Sequence, residues 1–221
     1  MYFSTNESNN EESENLELKT KGINVNLSKY QLVKNKMNIA LYRNKTETDS
    51  YFIHFEIKND KYDLKQLVLT SIISMLKEFN KDLVEDFIIE ENKTSNDGTM
   101  FLLLKSPNKD MGISNKFIKG DFKVEQNDSI IYFSSVSSSQ TSCKSHSERA
   151  FETITIDNKK YDEITLKFFQ AVIDCRNKHS CVFTMHFNID IHEDLPIYMQ
   201  NMRGMMIAKI CYNLKSFIEK M

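Results

Sequence analysis

The residues able to do chemistry in this chain gather in two places. Cys175, His179, Cys181, His186 and His192 lie close together, and Cys143 and His146 share the segment SCKSHSE. The first group has the ligand types of a zinc site, but its C-x3-H-x-C spacing fits no common zinc pattern. Cys181 and His186 differ by an odd number on one strand, so their side chains leave opposite faces of a sheet. The second group is a Cys/His pair of the kind hydrolases use, set in a loop without a nucleophile elbow. No P-loop and no GxGxxG is present, and no inward acid–base pair is in view. The expectation is a protein without catalytic residues, metal or cofactor.

What remains is soft rather than reactive. The chain ends DLPIYMQNMRGMMIAKICYNLKSFIEKM, with Met199, Met202, Met205 and Met206 crowded into its first half. At helical spacing the apolar stripe runs Met199, Met202, Met206, Ile210, Leu214, Phe217 and Met221. Methionine is unbranched and polarisable, so such a stripe suits irregular contents as well as it suits an ordinary core. Gly204 inside the helix costs about 1 kcal/mol relative to alanine. It marks either a soft point in the helix or a close approach to a neighbour.

The elements that would hold this helix alternate in period. In YFIHFEIK, Tyr51, Ile53, Phe55 and Ile57 face one way and Phe52, His54 and Glu56 the other, which is a strand. Leu64, Leu67, Val68, Ile72, Met75, Leu76 and Phe79 then recur every three or four residues, giving an amphipathic helix with Asp63 as N-cap. A second short helix is expected at 82–86. Strand patterns follow in DFIIEEN, TMFLLLKSP, FIKGDFKVEQ, SIIYFSSVS, FETITID, ITLKFFQAVIDC and SCVFTMHFNIDI, with turns at 126–128 and 176–179. In the last of these every odd residue from Cys181 to Ile191 is apolar, which predicts one buried and one wet face, as in an antiparallel sheet. Pro196 suits the first turn of the terminal helix, where a missing N–H is harmless.

With 221 residues, 40% of them apolar and 27% charged, the chain fits one domain. Residues 1–27 read as a polar, disordered tail and 28–221 as the folded unit. The serine-rich stretch 134–147 reads as a loop. A net charge of −2 and the lack of a basic stripe interleaved with aromatics argue against nucleic acid. No signal sequence or membrane span is evident, so the 4 cysteines are expected to be reduced thiols in a cytoplasmic protein.

The order of elements resembles the START domain, the steroidogenic-acute-regulatory-protein-related lipid-transfer domain, over about residues 28–221. The resemblance rests on YQLVKNKMNIALYRN (30–44), read as a helix start and first strand, and on FNKDLVEDFIIEEN (79–92). It rests also on the turn Pro107, Ser114, Asn115, Lys116, Phe117 and on residues 181–220 with Asp190 near a strand end. The chain departs from the family pattern in having no Trp and in carrying Lys116 where the family has arginine. The resemblance implies an α+β helix-grip fold: a curved antiparallel sheet wrapped around a long C-terminal helix, with two short inserted helices. It implies that one lipid, a glycerophospholipid in the first instance, is held in a tunnel between sheet and helix and transferred without bond making. A lipid-sensing or protein-interaction module of the same fold, or a carrier of sterol or ceramide, are the alternatives. The tunnel would be lined by Phe168, Phe183, Met185, Phe187, Met199, Met202, Met206 and Ile210, with His54, Lys105, Gln170 and His186 as head-group contacts. The protein would act as a monomer that touches membrane surfaces transiently.

Overall fold

The computed structural model describes residues 17–20, 23–47, 49–91, 97–106, 114–135, 153–190 and 197–221. A short hairpin of β1 (Glu17–Thr20) and β2 (Ile23–Asn26) leads through a 3-10 turn at Leu27–Lys29 into β3 (Tyr30–Lys36), β4 (Ile39–Asn44) and β5 (Ser50–Lys58). Helix α1 (Leu64–Glu78) follows, then β6 (Val84–Glu91), β7 (Asp97–Leu104), β8 (Asn115–Asn127) and β9 (Ile130–Ser135). β10 (Thr153–Ile156), β11 (Lys159–Asn177), β12 (Ser180–Asp190) and α2 (Ile197–Ile218) complete the chain.

The main sheet has ten strands in the order β3-β4-β5-β12-β11-β9-β8-β7-β6, with β10 on β11. Every pairing is antiparallel except a short parallel run of β11 along β8. This is the expected α+β plan, a sheet curved around a C-terminal helix. Three hairpin turns carry the left-handed conformations that tight turns need, at Met37–Asn38, Asp128 and Asp157–Asn158.

α1 starts where the sequence places it. Asp63 accepts from the Gln66 N–H at 3.2 Å, and the Leu64 N–H reaches the Lys178 carbonyl at 2.9 Å, tying the helix to the β11–β12 turn. α2 is 22 residues long, about 33 Å at 1.5 Å per residue. It lies over the inner face of β4 and β5. Leu41, Tyr51, Ile53, Phe55, Phe183, Phe187, Leu214 and Ile218 form the core between helices and sheet.

Several expectations change. The second short helix expected at 82–86 is a turn running into β6. Buried Asn80 accepts from the Leu83 and Val84 N–H groups, and the Leu83 carbonyl accepts from Lys105 N–H, so tertiary pairing overrides local helix preference. Tyr30 opens a strand rather than a helix, because the Met37–Asn38 turn folds 30–44 into a hairpin. Strand structure also reaches into the polar N-terminal segment. Ile23 and Val25 are buried against Phe52, Ile130 and Val172 on the outer face of the sheet. The outer side of β12 is half-buried rather than wet, with Thr184 only 1% exposed. Residues 1–16, Pro107, residues 136–152 with Cys143, His146 and most of the loop expected at 134–147, and His192 and Pro196 lie outside the described residues.

Candidate functional site

A chamber of about 140 Å³ remains unfilled between the helices and the inner face of the sheet. α1 contributes Ile72 and Leu76, and the second half of α2 contributes Cys211 and Leu214. The opposite walls come from β6 (Phe87, Ile89), β7 (Met100), β8 (Phe122), β9 (Phe133) and β11 (Phe169, Ala171, Ile173). The floor is Phe55 on β5 with Phe183 and Met185 on β12. Phe55 and Phe183 are direct cross-strand partners and stack with ring centroids 4.9 Å apart. Period-two alternation on seven strands thus delivers apolar side chains to one volume.

Among the described wall residues none carries a charge. The nearest approach to a polar group is the Cys211 thiol, which burial pushes up to about 12, so it stays protonated and neutral. Burying an unpaired ion in such surroundings costs several kcal/mol. The described walls therefore favour apolar contents over ions.

Of the lining residues expected from sequence, Phe183 and Met185 lie in these walls. Phe187 does not; it is buried beside the chamber with its ring stacked 5.5 Å from Tyr51. Met206 is half-buried and Ile210 belongs to the core, neither of them against the chamber. The side chains of Met199 and Met202 lie outside the described residues. Phe168 points to the outer face, edge-on to His186 at 5.0 Å. The cause is a β-bulge in β11: Ile164 and Leu166 join the inner core, but the register shift between Leu166 and Phe168 reverses the parity, so Phe169, Ala171 and Ile173 face inward instead. Leu214, expected as plain core, is a wall residue. Phe217 is 38% exposed and stacks on Phe79 at 3.6 Å.

The chamber sits further along the helix than the methionine cluster. A Cβ at Gly204 would stand 2.6 Å from Tyr51 Cδ1 and 3.3 Å from Leu41 Cδ1. The missing side chain lets α2 come down onto the sheet at this point. Close packing is thus the reason for this glycine.

The four head-group candidates all fall elsewhere. His54 and His186 project from the outer face, where His54 Nδ1 lies 3.0 Å from Thr184 Oγ1 and His186 Nε2 lies 2.9 Å from the Tyr30 hydroxyl. Burial lowers both imidazoles from their ordinary value, with Glu56 and Glu47 partly opposing this. Gln170 pairs across the strands with His186 and Ser134 on the same outer side. Lys105 donates to the Lys81 carbonyl at 2.5 Å and sits 3.9 Å from Glu85. The residues weighed for metal are separated as their parity requires. Cys181 faces inward and hydrogen-bonds with Cys175, while His179 Nδ1 is 3.1 Å from the Asn59 carbonyl. Among the described residues no cluster of three or more His, Cys, Asp or Glu could hold a metal, and no helix is long and apolar enough to cross a membrane.

What sequence reasoning missed is the α1 side of the chamber. Ile72 and Leu76 looked like ordinary helix stripe, and Ala171 was not singled out. A small residue among Phe133, Phe169 and Phe183 on neighbouring strands was the available sign of space.

No family model matches this chain, and no curated protein matches it in sequence. Solved structures do. Human STARD10 superposes with a TM-score of 0.61 at 12% identity, covering 86% of this chain and 73% of that one. Human StAR-related lipid transfer protein 5 gives 0.57 at 10% identity over 87% and 89%. The lipid transfer and protein localization domain of human StarD13 gives 0.54 at 10% identity over 84% and 88%. The chain has a START-like, helix-grip fold.

Proposed function

We propose that this protein binds one lipid by its hydrocarbon in the chamber beneath α1 and α2 and carries it between membranes. The observation that carries the reading is the chamber itself: an unfilled volume with wholly apolar described walls, in a fold shared with lipid-transfer domains. Each CH₂ brought from water into such surroundings gains about 0.8 kcal/mol, so even a partly enclosed chain is held firmly. Among the described wall residues the Cys211 thiol is the one reactive group, and burial keeps it protonated, which supports carriage without covalent chemistry.

A glycerophospholipid remains the first cargo to test. The reading places the protein in the cytoplasm as a monomer that meets membranes at their surface. The test is transfer of a fluorescent glycerophospholipid from donor to acceptor vesicles, beside native mass spectrometry of the protein purified from cells. The expected result is one retained lipid per chain and transfer well above the buffer rate. Retention without transfer would turn the assignment to lipid sensing, and neither would end it.

A further inference from the structure

The walls say which end of a lipid goes in. We infer that the chamber takes the methyl end of a single aliphatic chain, tail first, and that the polar head stays outside it. The inference rests on the lipid-binding reading above and adds orientation and selectivity to it.

Three features carry it. The first is chemistry. A head group brought into the chamber would lose its water and, among the described wall residues, meet side chains such as Phe133, Phe169, Ile72 and Leu214, with no charged group and only the neutral Cys211 thiol as a polar contact. The titratable groups that sequence reasoning offered to a head group lie on the far side of the sheet or at its rim: His54 and His186 outside, Lys105 against Lys81 and Glu85. The second is size. The chamber, at about 140 Å³, is close to the roughly 150 Å³ of an engineered apolar cavity that admits benzene. Its unrelaxed walls therefore enclose on the order of six carbons, a chain end rather than two acyl chains with a glycerol. The third is compliance. Met100 and Met185 in the walls adjust to a flexible chain at low cost.

The experiment uses two homologous series, the 1-alkanols and the alkanoate ions, with chains from two to twelve carbons. Binding to the full chain is measured by calorimetry at pH 8, below the concentration at which each ligand forms micelles. Tail-first entry predicts that Kd tightens about fourfold per methylene and then levels off once the chamber is full. It also predicts that alcohol and ionised carboxylate of equal length bind within about tenfold of each other, since neither head is desolvated inside.

Ala171→Leu adds three carbons to the wall and should move the plateau about three carbons shorter. Phe133→Leu opens the wall and should move it longer. The pair of opposite shifts keeps the test decisive if one variant fails to fold. A preference for the alcohol of more than a hundredfold at every length, or a plateau that neither variant moves, overturns tail-first entry while leaving lipid binding intact. Failure of both series and of the vesicle assay to show any binding overturns the lipid reading, and this inference with it.

Discussion

Gly204→Ala sets helix preference against packing, and the structure decides which prevails. Alanine is favoured over glycine inside a helix by about 1 kcal/mol. Against this, the new methyl would stand 2.6 and 2.7 Å from two carbons of the Tyr51 ring. Ordinary contact begins near 3.4 Å, so ring or helix must shift by most of an ångström. Tyr51 has no free side to move to. It is fully buried, stacked on Phe187, and sits on a central strand beside Leu41, which is itself 3.3 Å from the added atom. Overpacking of a rigid site costs about 1–3 kcal/mol, and the upper part of that range applies here.

The net expectation is a loss of about 1–2 kcal/mol, or roughly 2–8 °C in Tm for a domain of this size. Thermal melts followed by circular dichroism read it directly. Tyr51→Leu provides the second arm of a double-mutant cycle: without the ring, alanine at 204 should be neutral or stabilising relative to glycine. A Gly204→Ala variant that melts above the parent protein would refute the packing argument. The glycine would then have to be read as a soft point in α2.

Lys215→Met should cost about 1–3 kcal/mol in urea denaturation, because it removes the buried lysine donor of the Glu56 carbonyl and the ion-pair partner of Glu219. An unchanged urea midpoint would show that the contact is idle. Acid should destabilise the protein through His54 and His186. Both stay neutral when folded below the ordinary 6.5, so the unfolded chain binds more protons there and stability falls as pH drops from about 6.5 toward the lowered folded values. Above about 6.5 this contribution is constant, and His54→Gln with His186→Gln should flatten the difference between urea midpoints at pH 7.5 and 5.5. Equal drops in parent and double variant would place the acid sensitivity elsewhere.

The parts of the fold that depend on local pattern could be read from the sequence. α1 announced itself by Asp63 and the spacing from Leu64 to Phe79, and β12 by its alternation from Cys181 onward. What could not be read depends on interruptions of pattern that only partners impose. One extra residue near Lys167 turns Phe168 outward and Phe169 inward, and no period count shows where a bulge falls. Ile23 and Val25 sit in a stretch too short and polar to signal burial, yet they cover the outer sheet. The neighbours of the terminal helix could not be read for the same kind of reason. A methionine stripe names a helix face, but what lies beneath that face depends on how far Gly204 lets the helix descend.

That the chamber stays open at all has a physical cause in the polar contacts that hold the helices. Apolar contact is non-directional, and left to it α2 would settle wherever it buried most surface. Its second half is instead fixed at four points. Lys215 donates to the Glu56 carbonyl, Asn59 Nδ2 reaches the Ile218 carbonyl at 2.6 Å, and Asn80 Nδ2 reaches the Ile210 carbonyl at 3.4 Å while Asn213 donates to Asn80 Oδ1 at 2.9 Å. Asn80 also takes the Leu76 carbonyl at 2.8 Å, so one buried amide spaces α1 from α2. These bonds have fixed lengths and leave buried groups unsatisfied if broken, which makes collapse into the chamber costlier than leaving it unfilled. The front of α2 is seated by Gly204 on Tyr51, and the back is held by these amides and Lys215. The unfilled volume lies beside the part of the helix whose height polar geometry sets.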